Sequence, residues 1–317
     1  MWVMKAVIAI AVVVALLLPG LARSDGGPVF NDDGGFRGIA TTTGFRYTAL
    51  VERHRTTLLR IAPDQHIARV LFLPGRFTIP DVAIDGTTSG LSADGKTLVL
   101  IEPRWRAGRA RTRFMLMSVP GMHGRGIVEL PGDFTFDAMS PDASRLYFIE
   151  YLSKNDPTRY RVRAFDTAAS RLLPGAIVDS SEPDEEMRGY PVSRVMSAEG
   201  RYAYTLYDGG GRTPFVHVLD TVGGGARCVD LDELGGNNAI YSFRLHREPG
   251  GDVAVALHGK PWLVLDRASF RVRSADKTTP TDTAGSAWAR VGLGAGGILA
   301  LIGVSLVLFR RRRPATA

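Results

Sequence analysis

Short runs of aromatic and aliphatic residues alternate with turn residues along the middle of the chain. Examples are the runs at 202–207 and 252–257, each followed within a few residues by Gly, Asp or Arg. Alternation over so few residues is typical of β-strands, whereas an amphipathic helix needs a longer pattern with a period of 3.6. The pattern predicts an all-β domain between residues 36 and 275.

A turn phrase recurs along this domain, and its clearest copy is Ser140-Pro141-Asp142-Ala143. Proline presets φ, the acidic side chain bonds nearby backbone, and the last position suits a residue with positive φ. The other copies align on Gly44, Gly95, Gly200 and Gly250. The successive intervals are 51, 48, 57 and 50 residues, and the longest interval contains an acidic insertion at 180–189.

A second phrase keeps the same spacing and marks the end of a later strand in each unit. Its copies are Phe165-Asp166-Thr167, Leu219-Asp220-Thr221 and Leu265-Asp266-Arg267. Met117-Ser118 occupies the matching place 48 residues before Asp166. After each of these four places comes a loop and a further strand, predicted at 125–130, 172–178, 227–231 and 270–273. Two markers that repeat together predict a unit of four strands, and a fixed period near 50 predicts a β-propeller of about five blades.

The two phrases resemble the blades of TolB-like and YVTN/WD40-like bacterial β-propellers. In those families the Ser-Pro-Asp phrase is the turn between the first two strands of a blade, and the Asp-Thr phrase closes the third strand. The resemblance covers residues 35–275 and implies the fold. It implies no particular activity, because one fold serves many functions.

The chain begins with a pattern typical of a secretory signal peptide. Lys5 precedes an apolar run at 6–18, and small residues follow at Ala22 and Ser24. We predict a signal peptide at 1–24 and a linker at 25–35. An uncleaved anchor is the alternative.

The other end of the chain predicts a single membrane anchor. Residues 291–309 carry no charge and precede four arginines at 310–313, which predict a transmembrane helix with a cytoplasmic tail at 310–317. Residues 276–290 are rich in Thr, Pro and Ala and predict a flexible stalk. Gly292 and Gly296 have the spacing that allows two helices to pack as a homodimer. The predicted location is a single-pass protein of the cell membrane with its main domain outside the cytoplasm.

The charge of the chain agrees with a membrane protein better than with a nucleic-acid-binding one. The formal net charge is +7, but seven of the 39 Lys and Arg residues lie in or beside the terminal segments. Residues 25–284 therefore contain equal numbers of basic and acidic side chains. A central domain without net charge does not favour binding to nucleic acid.

The most unusual stretch is an arginine-rich hairpin at 104–114, predicted between the second and third strands of the second blade. Its arginines and tryptophan could bind a polyanion, a lipid headgroup or an acidic partner. The alternative is an ordinary solvated hairpin, because charged side chains commonly protect sheet edges. The candidate binding residues are Arg104, Trp105, Arg106, Arg109, Arg111 and Arg113.

The sequence indicates no catalytic residue, metal site or cofactor. Cys228 is the single cysteine, and the six histidines lack metal-ligand spacing. His217 alternates with apolar neighbours, which predicts a strand position. The acidic insertion could supply oxygen ligands for calcium, but its spacing matches no defined calcium loop, and a solvated loop is the alternative.

Two functions agree with this pattern. One is a non-catalytic binding or scaffold module of the cell envelope, whose partner is an envelope protein or a cell-wall polymer. The alternative is a propeller enzyme, a hydrolase or lyase acting on a glycan or lactone at the central channel. Carboxylates or histidines with shifted pKa values in the channel would favour the enzyme, whereas an apolar or arginine-rich face would favour binding.

Overall fold

The computed structural model describes residues 37–275 except 106, 120, 184–186 and 236–238. The chain divides into two compact units, 1–275 and 276–317, and every described residue belongs to the first. The predicted signal peptide, linker, stalk, transmembrane helix, cytoplasmic tail and the Gly292/Gly296 pair lie outside the described residues. Among the described residues, no helix has the length and apolar character needed to cross a membrane.

In the described part of the chain, nineteen strands form five consecutive antiparallel sheets, and each sheet takes its strands in chain order. The first sheet contains β1 (Ile39–Ala40), β2 (Arg46–Glu52), β3 (Arg55–Ile61) and β4 (Ile67–Pro74). The second contains β5 (Thr97–Ile101), β6 (Arg111–Ser118) and β7 (His123–Pro131). The third contains β8 (Asp133–Met139), β9 (Arg145–Tyr151), β10 (Tyr160–Asp166) and β11 (Arg171–Leu172). The fourth contains β12 (Pro191–Met196), β13 (Tyr202–Tyr207), β14 (Phe215–Asp220) and β15 (Ala226–Asp230). The fifth contains β16 (Phe243–Arg247), β17 (Val253–Leu257), β18 (Lys260–Leu265) and β19 (Val272–Ser274).

Neighbouring sheets pack face to face through apolar side chains, as the blades of a β-propeller do. Leu58 and Met117 belong to one apolar cluster between the first and second sheets. Between the second and third sheets, the ring centres of Phe114 and Phe148 lie 4.3 Å apart. Further clusters join the third sheet to the fourth and the fourth to the fifth. The first strands of neighbouring sheets also contact each other, as expected for strands nearest the propeller axis. The Leu245 amide of β16 donates to Ser193 Oγ of β12 at 3.0 Å. The predicted all-β fold of five repeated sheets is confirmed.

The turn phrase joins the first and second strands of the first, third, fourth and fifth sheets, as predicted, and in the second sheet it directly precedes β5. In the third sheet the Ser140 hydroxyl donates to Asp142 Oδ1 at 2.8 Å and accepts the Arg145 amide at 2.9 Å. The Asp-Thr phrase then fastens the third strand to this turn, since the Thr167 hydroxyl donates to the Ser144 carbonyl at 2.9 Å. We call this end of the propeller the turn end and the opposite end the loop end.

The alignment of the fifth turn on Gly250 was wrong by one residue. Gly251 has the positive φ, and its amide donates to the Glu248 carbonyl at 2.9 Å, as the Gly200 amide does to Ser197 at 3.0 Å. Two adjacent glycines leave the register of such a turn undecided in the sequence. Ala143 holds this position in the third turn at a φ of 57°.

The fourth strand predicted at 172–178 is also shorter than expected. β11 ends at Leu172, and only an isolated bridge from Ile177 to Val162 continues it. Pro174 lacks an amide hydrogen for the ladder, and Gly175 turns the backbone with a φ of 78°. The edge strand therefore breaks where proline and glycine stand together.

The second sheet differs most from its prediction, because its innermost strand is interrupted. Thr78 and Leu91 form bridges to Ile101 and Leu98 of β5, and the residues between them leave the sheet. Residues 80–89 form a small hairpin, closed by a hydrogen bond of 2.9 Å from the Ser89 amide to the Pro80 carbonyl. We call it the central hairpin.

The central hairpin reaches three other sheets. The Ile84 amide donates to the Pro191 carbonyl of the fourth sheet at 2.8 Å, and the Thr88 hydroxyl donates to the Gly38 carbonyl beside the first sheet at 2.8 Å. Asp85 lies 3.7 Å from Arg244 of the fifth sheet. The propeller axis is therefore crossed by this segment of the chain.

Candidate binding sites

The arginine-rich hairpin connects β5 and β6 at the loop end, as predicted, but its first arginine turns inward. The Arg104 side chain is fully buried, and its Nη2 donates to Asp133 Oδ2 at 2.8 Å. Its guanidinium also lies 4.0 Å above the Tyr151 ring. Arg104 therefore joins the second sheet to the third.

Arg109 contacts the same carboxylate and is largely buried. Its Nε donates to Asp133 Oδ1 at 3.2 Å, and its Nη1 donates to the Glu102 carbonyl at 2.9 Å. Burial alone would raise the pKa of Asp133, but hydrogen bonding and charge from Arg104, with the Gly108 amide and Arg109, hold it below its ordinary value. Burial lowers the pKa of Arg109, against the opposing effect of Asp133.

The remaining described arginines of the hairpin lie on β6. Arg111 meets Glu129 at 3.3 Å on an exposed surface, and Arg113 meets Glu102 at 2.8 Å. Arg106 lies outside the described residues. Each of the four described arginines therefore has a carboxylate of this protein as its partner, and ligand binding by the hairpin stays a prediction.

Trp105 differs from its neighbours because it faces solvent. Its side chain is 57% exposed, and the Arg76 guanidinium lies 4.4 Å from its ring centre. No carboxylate pairs with Arg76 among the described residues. This stacked pair leaves one positive charge and one indole face open at the loop end.

Other large apolar side chains emerge at the same end, which the sequence did not single out. They are Leu152 at 49%, Tyr241 at 46% and Trp262 at 50% exposure. Exposed basic residues accompany them at the loop end: Arg53, Lys154, Arg159, Arg188 and Lys260. Trp, Tyr and Arg are the residues that most often carry binding energy at protein interfaces.

The turn end carries a cavity of about 390 Å³. It opens between the turns of the first, second and fourth sheets, and Met139 of the third sheet contributes to its wall. Its lining includes Thr41, Thr42, Thr43, Phe45, Tyr47, Arg60, Ser89, Leu91, Ser92, Asp94, Met139, Met196, Ser197 and Ala198. Hydroxyl and apolar groups dominate, with one guanidinium and one carboxylate.

A further ion pair lies in the interior, between the third and fourth sheets. Asp137 of β8 binds the Arg194 guanidinium of β12, and both side chains are 2% exposed. His217 of β14 is buried, as its apolar neighbours predicted, and burial lowers its pKa to about 4. Within the described ranges, no three His, Cys, Asp or Glu side chains gather in a metal-binding arrangement.

Comparison with known proteins does not indicate the function of this chain, so the function is inferred from the residues of the candidate sites. No family model and no curated protein sequence matches the chain. Among solved structures it is similar to the Cps50 (Swd1) β-propeller domain of Myceliophteria thermophila, with a TM-score of 0.42, 10% identity, and coverage of 84% of this chain and 70% of that chain. It is also similar to hydrazine synthase of Kuenenia stuttgartiensis, with a TM-score of 0.37, 16% identity and coverage of 77% and 79%. It is similar as well to TolB of Acinetobacter baumannii, with a TM-score of 0.34, 11% identity, and coverage of 72% of this chain and 56% of that chain. At these scores the assignment to the β-propeller fold rests on the order and packing of the five sheets.

Proposed function

We propose that the protein is a non-catalytic binding module of the cell envelope, held at the membrane by residues 291–309. Its loop end docks a protein partner with an acidic surface. The observation that carries this proposal is Trp105, half exposed and stacked under Arg76. Trp262 and Tyr241 extend the apolar surface at the same end.

The charge beside Trp105 favours an acidic partner. Arg76 stacks on the indole ring, and the carboxylate of Glu102 is already bound by Arg113 at 2.8 Å. Complementary charge speeds association and selects among partners, while buried aromatic residues supply most of the affinity. The two kinds of side chain on one face suit a protein interface better than a purely ionic contact with a polymer.

The alternative of a propeller enzyme has less support around the axis. Asp137 is neutralised by Arg194, Asp133 is neutralised by Arg104, and the central hairpin crosses the space where a channel site would lie. His217 is enclosed between sheets and neutral at ordinary pH. A catalytic acid or base must reach its substrate, whereas these two carboxylates are buried against their arginines.

The proposal is tested by affinity capture from envelope membranes with the full-length chain. The loop-end variants are Trp105→Ser, Arg76→Gln and Trp262→Ser. Ile67→Ser is the control, because Ile67 is 56% exposed at the start of β4, at the turn end of the propeller. We expect the three loop-end variants to lose one acidic protein that Ile67→Ser retains, and we expect that protein to dissociate as salt is raised.

Three outcomes would contradict this function. An unchanged set of captured proteins in all variants would remove the loop end as the docking face. Capture of a cell-wall polymer by the loop-end residues would replace the protein partner. Loss of the partner in Ile67→Ser to the same extent would show that capture does not depend on the loop end in particular.

The location of the protein has a separate test. A reporter fused after Ala317 should be active in the cytoplasm, and a reporter inserted after Ala275 should be active only outside it. The reverse pattern would contradict both the anchor and the envelope location. Because the anchor depends on other residues than the loop end, the two parts of the proposal fail independently.

A further inference from the structure

Arg60 supplies the one guanidinium that lines the turn-end cavity. Arg104, Arg109, Arg113, Arg163 and Arg194 are all fully or partly buried, and each meets a carboxylate. Arg60 of β3 is also partly buried, but no carboxylate pairs with it among the described residues. Its Nε is buried and has no hydrogen-bond acceptor in the part of the chain that the structure describes.

Aromatic residues hold Arg60 in position at the wall of the turn-end cavity. Its guanidinium lies 3.8 Å from the centre of the Phe45 ring, and it stands opposite Tyr47 in the β2–β3 register. Burial raises the pKa of the Tyr47 hydroxyl, and the charge and hydrogen bond of Arg60 oppose that rise. Phe45 and Tyr47 thus fix the orientation of the Arg60 guanidinium without neutralising its positive charge.

The one carboxylate in the cavity lining is already engaged by its own turn. Asp94 Oδ1 accepts the Ser92 hydroxyl at 2.6 Å and the Lys96 amide at 2.9 Å, and Lys96 Nζ lies 3.7 Å from Oδ2. Asp94 therefore belongs to the second turn, as Asp142 belongs to the third. The charge of Arg60 remains available to a ligand.

We propose that the turn-end cavity binds a small, hydroxylated carboxylic acid of the sugar-acid class, with its carboxylate on Arg60. A guanidinium matches the geometry of a carboxylate and forms strong charge-assisted hydrogen bonds. The hydroxyls of Thr42, Thr43 and Ser89 in the lining provide partners for the hydroxyl groups of the ligand. Phe45 and Met196 provide apolar surface for its carbon skeleton.

The size of the cavity agrees with a ligand of this kind. Its volume of about 390 Å³ falls near the lower end of the range of roughly 300–1,000 Å³ for small-molecule sites. The cavity lies at the turn end, whereas the proposed docking face lies at the loop end. The two sites involve different residues, so either can fail without the other.

Calorimetric titration of the full-length chain with glucuronate tests the proposal, with glucose and sulfate as comparison ligands. We expect saturable binding of glucuronate, no binding of glucose, and weaker binding of sulfate. Arg60→Gln should weaken glucuronate binding by about tenfold or more, the cost of roughly one charge-assisted hydrogen bond. Arg69→Gln is the matched control, because Arg69 stands opposite Arg60 on β4, is exposed, and is not part of the lining.

A second variant keeps the test decisive if Arg60→Gln unfolds the protein. Ala198 is an exposed turn residue that lines the cavity, so Ala198→Trp should block the ligand without disturbing the interior. Equal glucuronate binding in wild type, Arg60→Gln and Ala198→Trp would overturn the proposal. Absence of saturable glucuronate binding to wild type, or equally tight binding of sulfate, would overturn the assignment to sugar acids.

Discussion

Asp137 and Arg194 form a buried ion pair between the first strands of the third and fourth sheets. Asp137 lies at an irregularity in the β8–β9 pairing, and Arg194 Nε also donates to the Thr205 hydroxyl at 2.8 Å. The Arg194 guanidinium bonds both the carboxylate and the backbone carbonyl of Asp137. Arg194 of the fourth sheet thus donates hydrogen bonds to the buried oxygen atoms of Asp137 in the third sheet.

Removing one member of this pair should destabilise the protein strongly. Arg194→Met leaves the Asp137 carboxylate buried without its partner, at a cost of about 3–5 kcal/mol in the free energy of unfolding. Asp137→Asn combined with Arg194→Met should cost much less than the sum of the single changes. Denaturant titration of the four proteins measures the coupling. Strictly additive effects would show that the two side chains act independently.

His217 should make the stability of the fold depend on pH. Its pKa is lowered by burial to about 4, from 6.5 in the unfolded chain. Between those values the unfolded state binds the proton and the folded state does not. The stability from neutral His217 is therefore fully present above pH 6.5 and is lost as pH falls towards 4. The loss amounts to about 3 kcal/mol, since one pKa unit corresponds to roughly 1.4 kcal/mol.

The measurement is the free energy of unfolding of wild type and His217→Gln between pH 7 and pH 4. The variant should be less stable at neutral pH and should show a flatter slope in this window, because glutamine does not titrate. An equal slope in both proteins would assign the pH dependence to groups other than His217. Asp142 would not account for it, because hydrogen bonds from Ser144 and Ser140 lower its pKa to about 2, and its contribution to stability is lost only as pH falls below 3.8.

Gly200 and Gly95 hold the same position in two turns but should respond differently to alanine. Both have positive φ, at 75° and 68°. A Cβ at Gly200 would lie 2.6 Å from the Ala93 side chain of the second turn, whereas a Cβ at Gly95 would meet nothing within 4 Å. Gly95→Ala should cost about 1 kcal/mol from backbone strain alone.

Gly200→Ala should cost at least twice as much, because the second and fourth turns must also move apart. Thermal unfolding of the two variants provides the comparison. Equal losses would mean that the turns separate freely at no cost. A loss in binding at the turn-end cavity in Gly200→Ala alone would show that this contact also shapes the cavity wall.

The repeated architecture could be predicted because its signals are local. The Ser-Pro-Asp turn and the Asp-Thr phrase bond within about 25 residues of one another, as Thr167 does with Ser144, and each repeat carries its own copy. The central hairpin could not be predicted, because Pro80 and Gly90 read as ordinary loop residues. Its position depends on contacts with the first, fourth and fifth sheets.

The candidate site was predicted less well for the same reason. The sequence shows that Arg104 and Arg109 are close together, but their carboxylate, Asp133, belongs to the next sheet and follows them by 29 and 24 residues. Exposure is a property of the packed sheets, so Trp105 and Trp262 could not be distinguished in the sequence from buried aromatic residues. Arg60 gave no signal, because its place in the lining of the turn-end cavity depends on the packing of the folded sheets.

Arg104 and Arg111 should separate the structural arginines of the hairpin from the exposed ones. Arg104→Met leaves Asp133 with fewer partners in a buried site, and it should destabilise the protein by about 3 kcal/mol or more. Arg111→Met removes an exposed pair with Glu129 and should change the free energy of unfolding by less than about 1 kcal/mol. Denaturant titration measures both values. If Arg104→Met were as mild as Arg111→Met, the inward-facing guanidinium would be dispensable to the fold, and its role would have to be sought in binding.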